Sequence, residues 1–65
     1  MNVKNYLLNN TTRNDRITIV DNYTEIMIII DEDRSFLEWL SPNLLDKTID
    51  DVVEFGYGRT TIILE

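Results

Sequence analysis

Polar and apolar positions along this chain change their period several times, and each change marks a predicted element. Val3, Tyr6 and Leu7 stand at i, i+3 and i+4, an apolar stripe that predicts a helix of about two turns over Asn2 to Asn9. Asn9, Asn10, Thr11 and Thr12 end it, because their side chains compete for the backbone's hydrogen bonds. From Arg16 to Val20 the pattern alternates, with Ile17 and Ile19 on one side and Thr18 on the other, the period of a half-buried strand. Asp21 to Thr24 supply turn residues, and Glu25 to Ile30 resumes as the second arm of a hairpin. Ile26 to Ile30 are all apolar, so this arm is expected either to be a strand covered on both faces or to lie at a contact between chains.

Asp31, Glu32 and Asp33 make a sharp polar break. Asp33 or Ser35 can then cap a helix carrying Phe36, Leu37 and Leu40, with Trp39 beside that stripe. Ser41 and Pro42 suit the cap and first position of another helical turn, which points Leu44 and Leu45 inward. The stretch from Lys47 to Phe55 carries two patterns: Ile49, Val52 and Val53 suit a helix, whereas Val52, Val53 and Phe55 suit a strand. The strand, over Asp51 to Phe55, is favoured because Gly56, Tyr57 and Gly58 follow it as a turn and Arg59 to Leu64 reads as a returning strand. The layout is α-β-β-α-β-β. It predicts one α+β domain over residues 1–65, with a single antiparallel sheet of three or four strands and one or two short helices packed on one face. The expected core is Ile17, Ile19, Ile28, Phe36, Leu37, Leu40, Ile62 and Leu64.

Composition narrows the functions open to such a domain. Nine Ile, seven Leu, four Val and seven Thr, with no Ala, favour strands over helices. Cysteine and histidine are both absent, which removes disulfides, thiolate and imidazole zinc sites, thiol nucleophiles and the commonest general base. No catalytic role and no cofactor are expected. Six Lys and Arg against twelve Asp and Glu give a formal charge of −6, a field that repels phosphate backbones and anionic membranes, so direct nucleic-acid binding is not expected. The longest apolar run, Ile26 to Ile30, is far short of the roughly 20 residues that span a bilayer. Met1-Asn2-Val3-Lys4 does not open an apolar signal core either, and a cytoplasmic address is expected. A 65-residue domain buries only about 60% of its unfolded surface, and this one lacks covalent staples, so a homodimer is expected, with Met27 and Ile29 at the contact.

Several groupings invite chemical readings. Asp31, Asp33 and Ser35 match the first ligand positions of a calcium loop, but its sixth position would be Phe36 instead of Gly and its twelfth would be Pro42. Helix capping explains them better. Gly56-Tyr57-Gly58 before Arg59 has the look of a phosphate-binding turn, yet the third Gly, the Lys and the following helix are missing, which leaves a hairpin turn. Asp50, Asp51 and Glu54 could serve acid–base chemistry only within a cleft, for which so small a fold has little depth; they read as a charged outer surface. That surface and Trp39, the best candidate for an exposed aromatic anchor, are the expected contacts for a protein partner, while Phe36 and Phe55 are explained by core packing. Acidic residues gather after Ile30 and from Asp46 to Glu54, with Arg13 and Arg16 upstream, so a negative face could also block a nucleic-acid site on a host enzyme.

The order of these pieces resembles a known group. The opening Val3-Lys4-Asn5-Tyr6-Leu7, the hairpin around Asp21-Asn22, the Leu44-Leu45-Asp46-Lys47 segment and the closing Thr61-Ile62-Ile63-Leu64 are similar to small acidic proteins of Gram-positive phages and mobile elements. That resemblance implies an accessory role, inhibition of host defence among the options, and assigns no site residues.

Overall fold

Two hairpins joined by a helical crossover build the sheet. The computed structural model describes residues Met1 to Glu65, in the order α1 (Val3–Asn10), β1 (Arg16–Asp21), β2 (Met27–Glu32), a 3-10 helix (Arg34–Glu38), α2 (Pro42–Leu45), β3 (Ile49–Phe55) and β4 (Arg59–Leu64). The strands lie in the order β2-β1-β4-β3. Both hairpins are antiparallel, as expected, but the central pair β1–β4 runs parallel, with Ile17 beside Thr60 and Ile19 beside Ile62. An α+β sheet with short helices is therefore present, and its antiparallel character is corrected to mixed. The reason is the connection. A parallel pair needs a crossover of a dozen or more residues, and the 16 residues between Glu32 and Ile49 carry the chain from one edge of the sheet to the other.

The local elements have identifiable causes. Asn2 caps α1 by accepting from Asn5 N–H at 2.8 Å. Asp33 caps the 3-10 helix, and its carboxyl is held below the usual range chiefly by its hydrogen bond with the Ser35 side chain, then by the Ser35 N–H. That cap acts fully above the ordinary Asp range and is lost as pH falls through the lowered value. Ser41 caps α2, with Pro42 in its first turn. In the first hairpin, Asp21 Oδ1 accepts from the N–H groups of Tyr23 and Thr24, closing an Asx turn. Gly58 lies at φ +71° in the second, and a Cβ there would stand 3.0 Å from Asp15 Oδ1, so this glycine meets two separate demands.

The core gathers Val3 and Leu7 of α1, Phe36, Leu45, and Ile17, Ile19, Ile29, Ile62 and Leu64 of the sheet. Of the expected core, Ile28, Leu37 and Leu40 are only half-buried. Ile28 and Ile29 exchange roles because β2 contains bulges. Ile19 pairs with Ile29 but Val20 pairs with Met27, which makes Ile28 the extra residue and turns Ile29 inward. Ile29 is 2% exposed, so it cannot form the dimer contact expected of it; Met27 remains on the surface. A second bulge falls at Asp31, at φ +48°, whose N–H is taken up by Thr18 Oγ1 at 3.1 Å. Two bulges in six residues blunt this sheet edge against strand addition.

Candidate functional site

Every helical segment contributes to one core on one face of the sheet. The shortest extent of the molecule, 19 Å, accommodates one sheet and one helical layer and no third layer. The opposite face is consequently uncovered. Strand alternation and register set its contents: Arg16, Thr18 and Val20 from β1, Arg59, Thr61 and Ile63 from β4, Asp51, Val53 and Phe55 from β3. Met27 and Ile30 of β2, exposed by 56% and 61%, extend it at the far edge.

This face is graded along the strands. At the end near the Gly56–Gly58 turn, Arg16, Arg59, Phe55, Tyr57 and Asp31 border a broad shallow recess. Arg16 donates to the Asp31 carbonyl and its Nε lies 3.6 Å from Asp31 Oδ1, the only ion pair in the molecule. Arg59 stands between Arg16 and Phe55 in the ladder and is left without a carboxylate. The middle row is Thr18, Thr61 and Val53. The far row holds Val20, Ile63 and Asp51.

The residues expected to bind a partner are not brought together. Asp51 lies on the uncovered face, opposite Ile63. Asp50 falls in the irregular step between Ile49 and Asp51. Glu54 points to the helical side, where its Oε1 accepts from the Tyr6 hydroxyl at 3.0 Å. Alternation along β3 thus sends Asp51 and Glu54 to opposite sides of the sheet, so the three carboxylates form no single acidic face. Trp39 is 61% exposed but sits at the end of the 3-10 helix, in the helical layer. Phe55 is a correction: it is 56% exposed on the uncovered face instead of packed in the core, because Val52 takes the inward position on β3. Arg59 and Phe55 are the pair that sequence reasoning missed. Counting residues back from the inward Ile62 would have placed Arg59 outward, but only the β3–β4 register sets Phe55 beside it. No group of three or more Asp or Glu side chains converges as a metal site does, and no helix is long and apolar enough to cross a membrane.

The Tyr6–Glu54 contact makes stability depend on alkaline pH. Desolvation by burial first, then the hydrogen bond and the charge of Glu54, raise the Tyr6 phenol above its ordinary value of 10.0. A raised acid favours its neutral form in the fold, so the contribution is complete below about pH 10 and is lost as pH rises through the folded value. Tyr6→Phe is expected to melt below the wild type at pH 8, and the gap is expected to be smaller at a pH above the ordinary value of 10.0. Thermal melts followed by circular dichroism at both pH values check this; an equal gap at both would refute it.

No family model, no curated protein and no solved structure matches this chain.

Proposed function

We propose that this chain is a small non-catalytic protein-interaction module that works through the uncovered face of its sheet. One observation carries the reading. A two-layer domain of 65 residues leaves Val20, Val53, Phe55, Ile63, Met27 and Ile30 on a face that no element of its own covers. Contiguous exposed apolar surface rimmed by polar groups is the common mark of a protein contact. Aromatic and arginine side chains, here Phe55, Tyr57 and Arg59, supply most of the binding energy in such contacts. The rival reading, in which an acidic face stands in for nucleic acid, needs Asp50, Asp51 and Glu54 on one surface, and their dispersal counts against it. An accessory role, as implied by the resemblance to small acidic phage proteins, fits a module that acts by binding.

Photo-crosslinking from the face tests this. A photoreactive phenylalanine analogue replaces Phe55, or replaces Leu8, exposed on α1, as the control, in the cells that make the protein. Protein adducts, to itself or to another chain, are expected from position 55 well above those from position 8. Equal yields at the two positions, or adducts to nucleic acid, would overturn the proposal.

A further inference from the structure

The uncovered face carries its two unmatched charges at opposite ends of the neighbouring strands β4 and β3. Arg59 lies at the end near the Gly56–Gly58 turn, and Asp51 lies one strand across and four residues along, beside Ile63. Arg16, the other arginine of this face, is already held by Asp31. Asp51 Oδ1 accepts only from the adjacent Val52 N–H, at 2.8 Å. Four residues of rise and one strand spacing separate the two positions by about 14 Å, too far for the charges to meet within one chain. They can meet between two copies.

We infer that the occupant of the uncovered face is a second copy of this chain, packed face to face about a twofold axis beside Val53 and Thr61. Arg59 of each copy then lies against the partner's Asp51. This rests on the face being an interaction surface and adds what covers it. The line from Arg59 to Asp51 is inclined about 20° to the strands, so a twofold axis perpendicular to that line, which exchanges the two positions, makes the strands of the two sheets cross at about 40°. Aligned sheet packing, at roughly 30°, is close to that angle. An axis running along the strands between β1 and β4 would instead set Arg16 of each copy against Arg59 of the other, where like charges repel. The apolar Val53 lies beside the chosen axis, and Ile63 comes over the partner's β1 side of the face. Each copy has a net charge of −6. At physiological salt the Debye length of about 8 Å screens the distant carboxylates, whereas ion pairs in contact escape most of that screening. The face is small, so the association is expected to be weak and to need concentrations up to millimolar for its measurement.

Sedimentation equilibrium at physiological salt tests the inference on the intact chain. The wild type is expected to show a monomer–dimer equilibrium. Arg59→Asp and Asp51→Arg are each expected to weaken it about tenfold or more, since each replaces two attractive pairs by two repulsive ones. The double variant rebuilds both pairs with signs exchanged and is expected to recover most of the loss. Both positions are exposed, and unchanged melting temperatures verify that the fold persists. A second measurement uses the absence of cysteine: Val53→Cys introduces one thiol beside the axis, and mild oxidation is expected to link two copies through it. Met27→Cys, on the far edge strand, is expected to link poorly. A double variant as weak as the singles, or equal linking from positions 27 and 53, would overturn this arrangement. A wild-type monomer at 1 mM (roughly the upper limit of the weak association expected) would overturn self-pairing altogether. If position 55 still forms protein adducts in that case, the face keeps its binding role and only its occupant changes; if it does not, both inferences fall.

Discussion

Phe36→Ala is expected to leave the chain at the edge of unfolding at 25 °C. Phe36 is fully buried and is the largest side chain in a core of nine buried hydrophobic residues. Truncating a buried Phe costs about 3–5 kcal/mol, because the apolar contact is lost and the cavity only partly collapses. A domain of this length has a total stability of about 3–10 kcal/mol, so one residue accounts for a third or more of it. Its place magnifies the effect. Phe36 is carried by a 3-10 helix of five residues, too short to persist without an anchor, and that helix belongs to the crossover that makes the central strands parallel. Leu37→Ala, at a half-buried neighbour, is expected to cost less. Urea denaturation followed by the fluorescence of Trp39, the single tryptophan, measures both. A midpoint for Phe36→Ala within experimental error of the wild type would show that the core is not built around this ring.

The fold was legible wherever a local pattern decides it. The α1 stripe, the alternation of β1, the cap of Asp33 or Ser35, the Ser41-Pro42 start and the turn after Phe55 each announce themselves within a few residues. All of these appear within two residues of their expected places. What failed was non-local. The phase of β2 depends on bulges opposite β1, and a run of five apolar residues carries no alternation from which to read that phase; Ile28 and Ile29 were exchanged as a result. The β2 boundary moved for a related reason. Glu25 adopts φ +60° and keeps Ile26 in the turn, while Asp31 and Glu32, read as a break, continue the strand around the second bulge. Strand direction at the centre of the sheet likewise depends on where the crossover lands, and neither hairpin encodes it.

The site was less legible for a reason that composition conceals. A net charge of −6 draws attention to carboxylates, yet alternation along β3 sends Asp51 and Glu54 to opposite sides of the sheet, and Asp50 falls in the irregular step before them. The face that lacks a covering layer is defined by the helices that lie on the other side, and its one unpaired cation, Arg59, stands in a chain with twice as many acids as bases. Of the residues expected to contact a partner, only Asp51 and Met27 fall on that face. A shortage of core without staples concerns the quantity of apolar surface and does not indicate which face carries the surplus.

Arg34→Ala is expected to destabilise the chain by about 1.5–3 kcal/mol, the range of hydrogen bonds made by a charged group. Its Nη1 donates to the carbonyls of Leu7, at 3.0 Å, and Thr11, at 3.1 Å, at the end of α1. Helix ends leave carbonyls without intrahelical partners, and a cation there also complements the helix dipole. Leu7 O keeps two other donors, the N–H and hydroxyl of Thr11, so the loss falls chiefly on Thr11 O and on the link between layers of sequence 23 and 27 residues apart. That link joins α1 to the 3-10 helix, which holds Phe36. One feature limits the size of the effect: Arg34 Nε is buried without a partner, and its removal relieves a desolvation cost that the two carbonyl bonds offset in the wild type. Arg34→Met, which keeps the apolar stem and removes the donors, separates packing from hydrogen bonding. If the carbonyl bonds dominate, Met and Ala variants lose similar stability in urea titrations and Lys, able to reach one carbonyl, recovers part of it. Wild-type stability in the Met variant would assign the whole role of Arg34 to its stem.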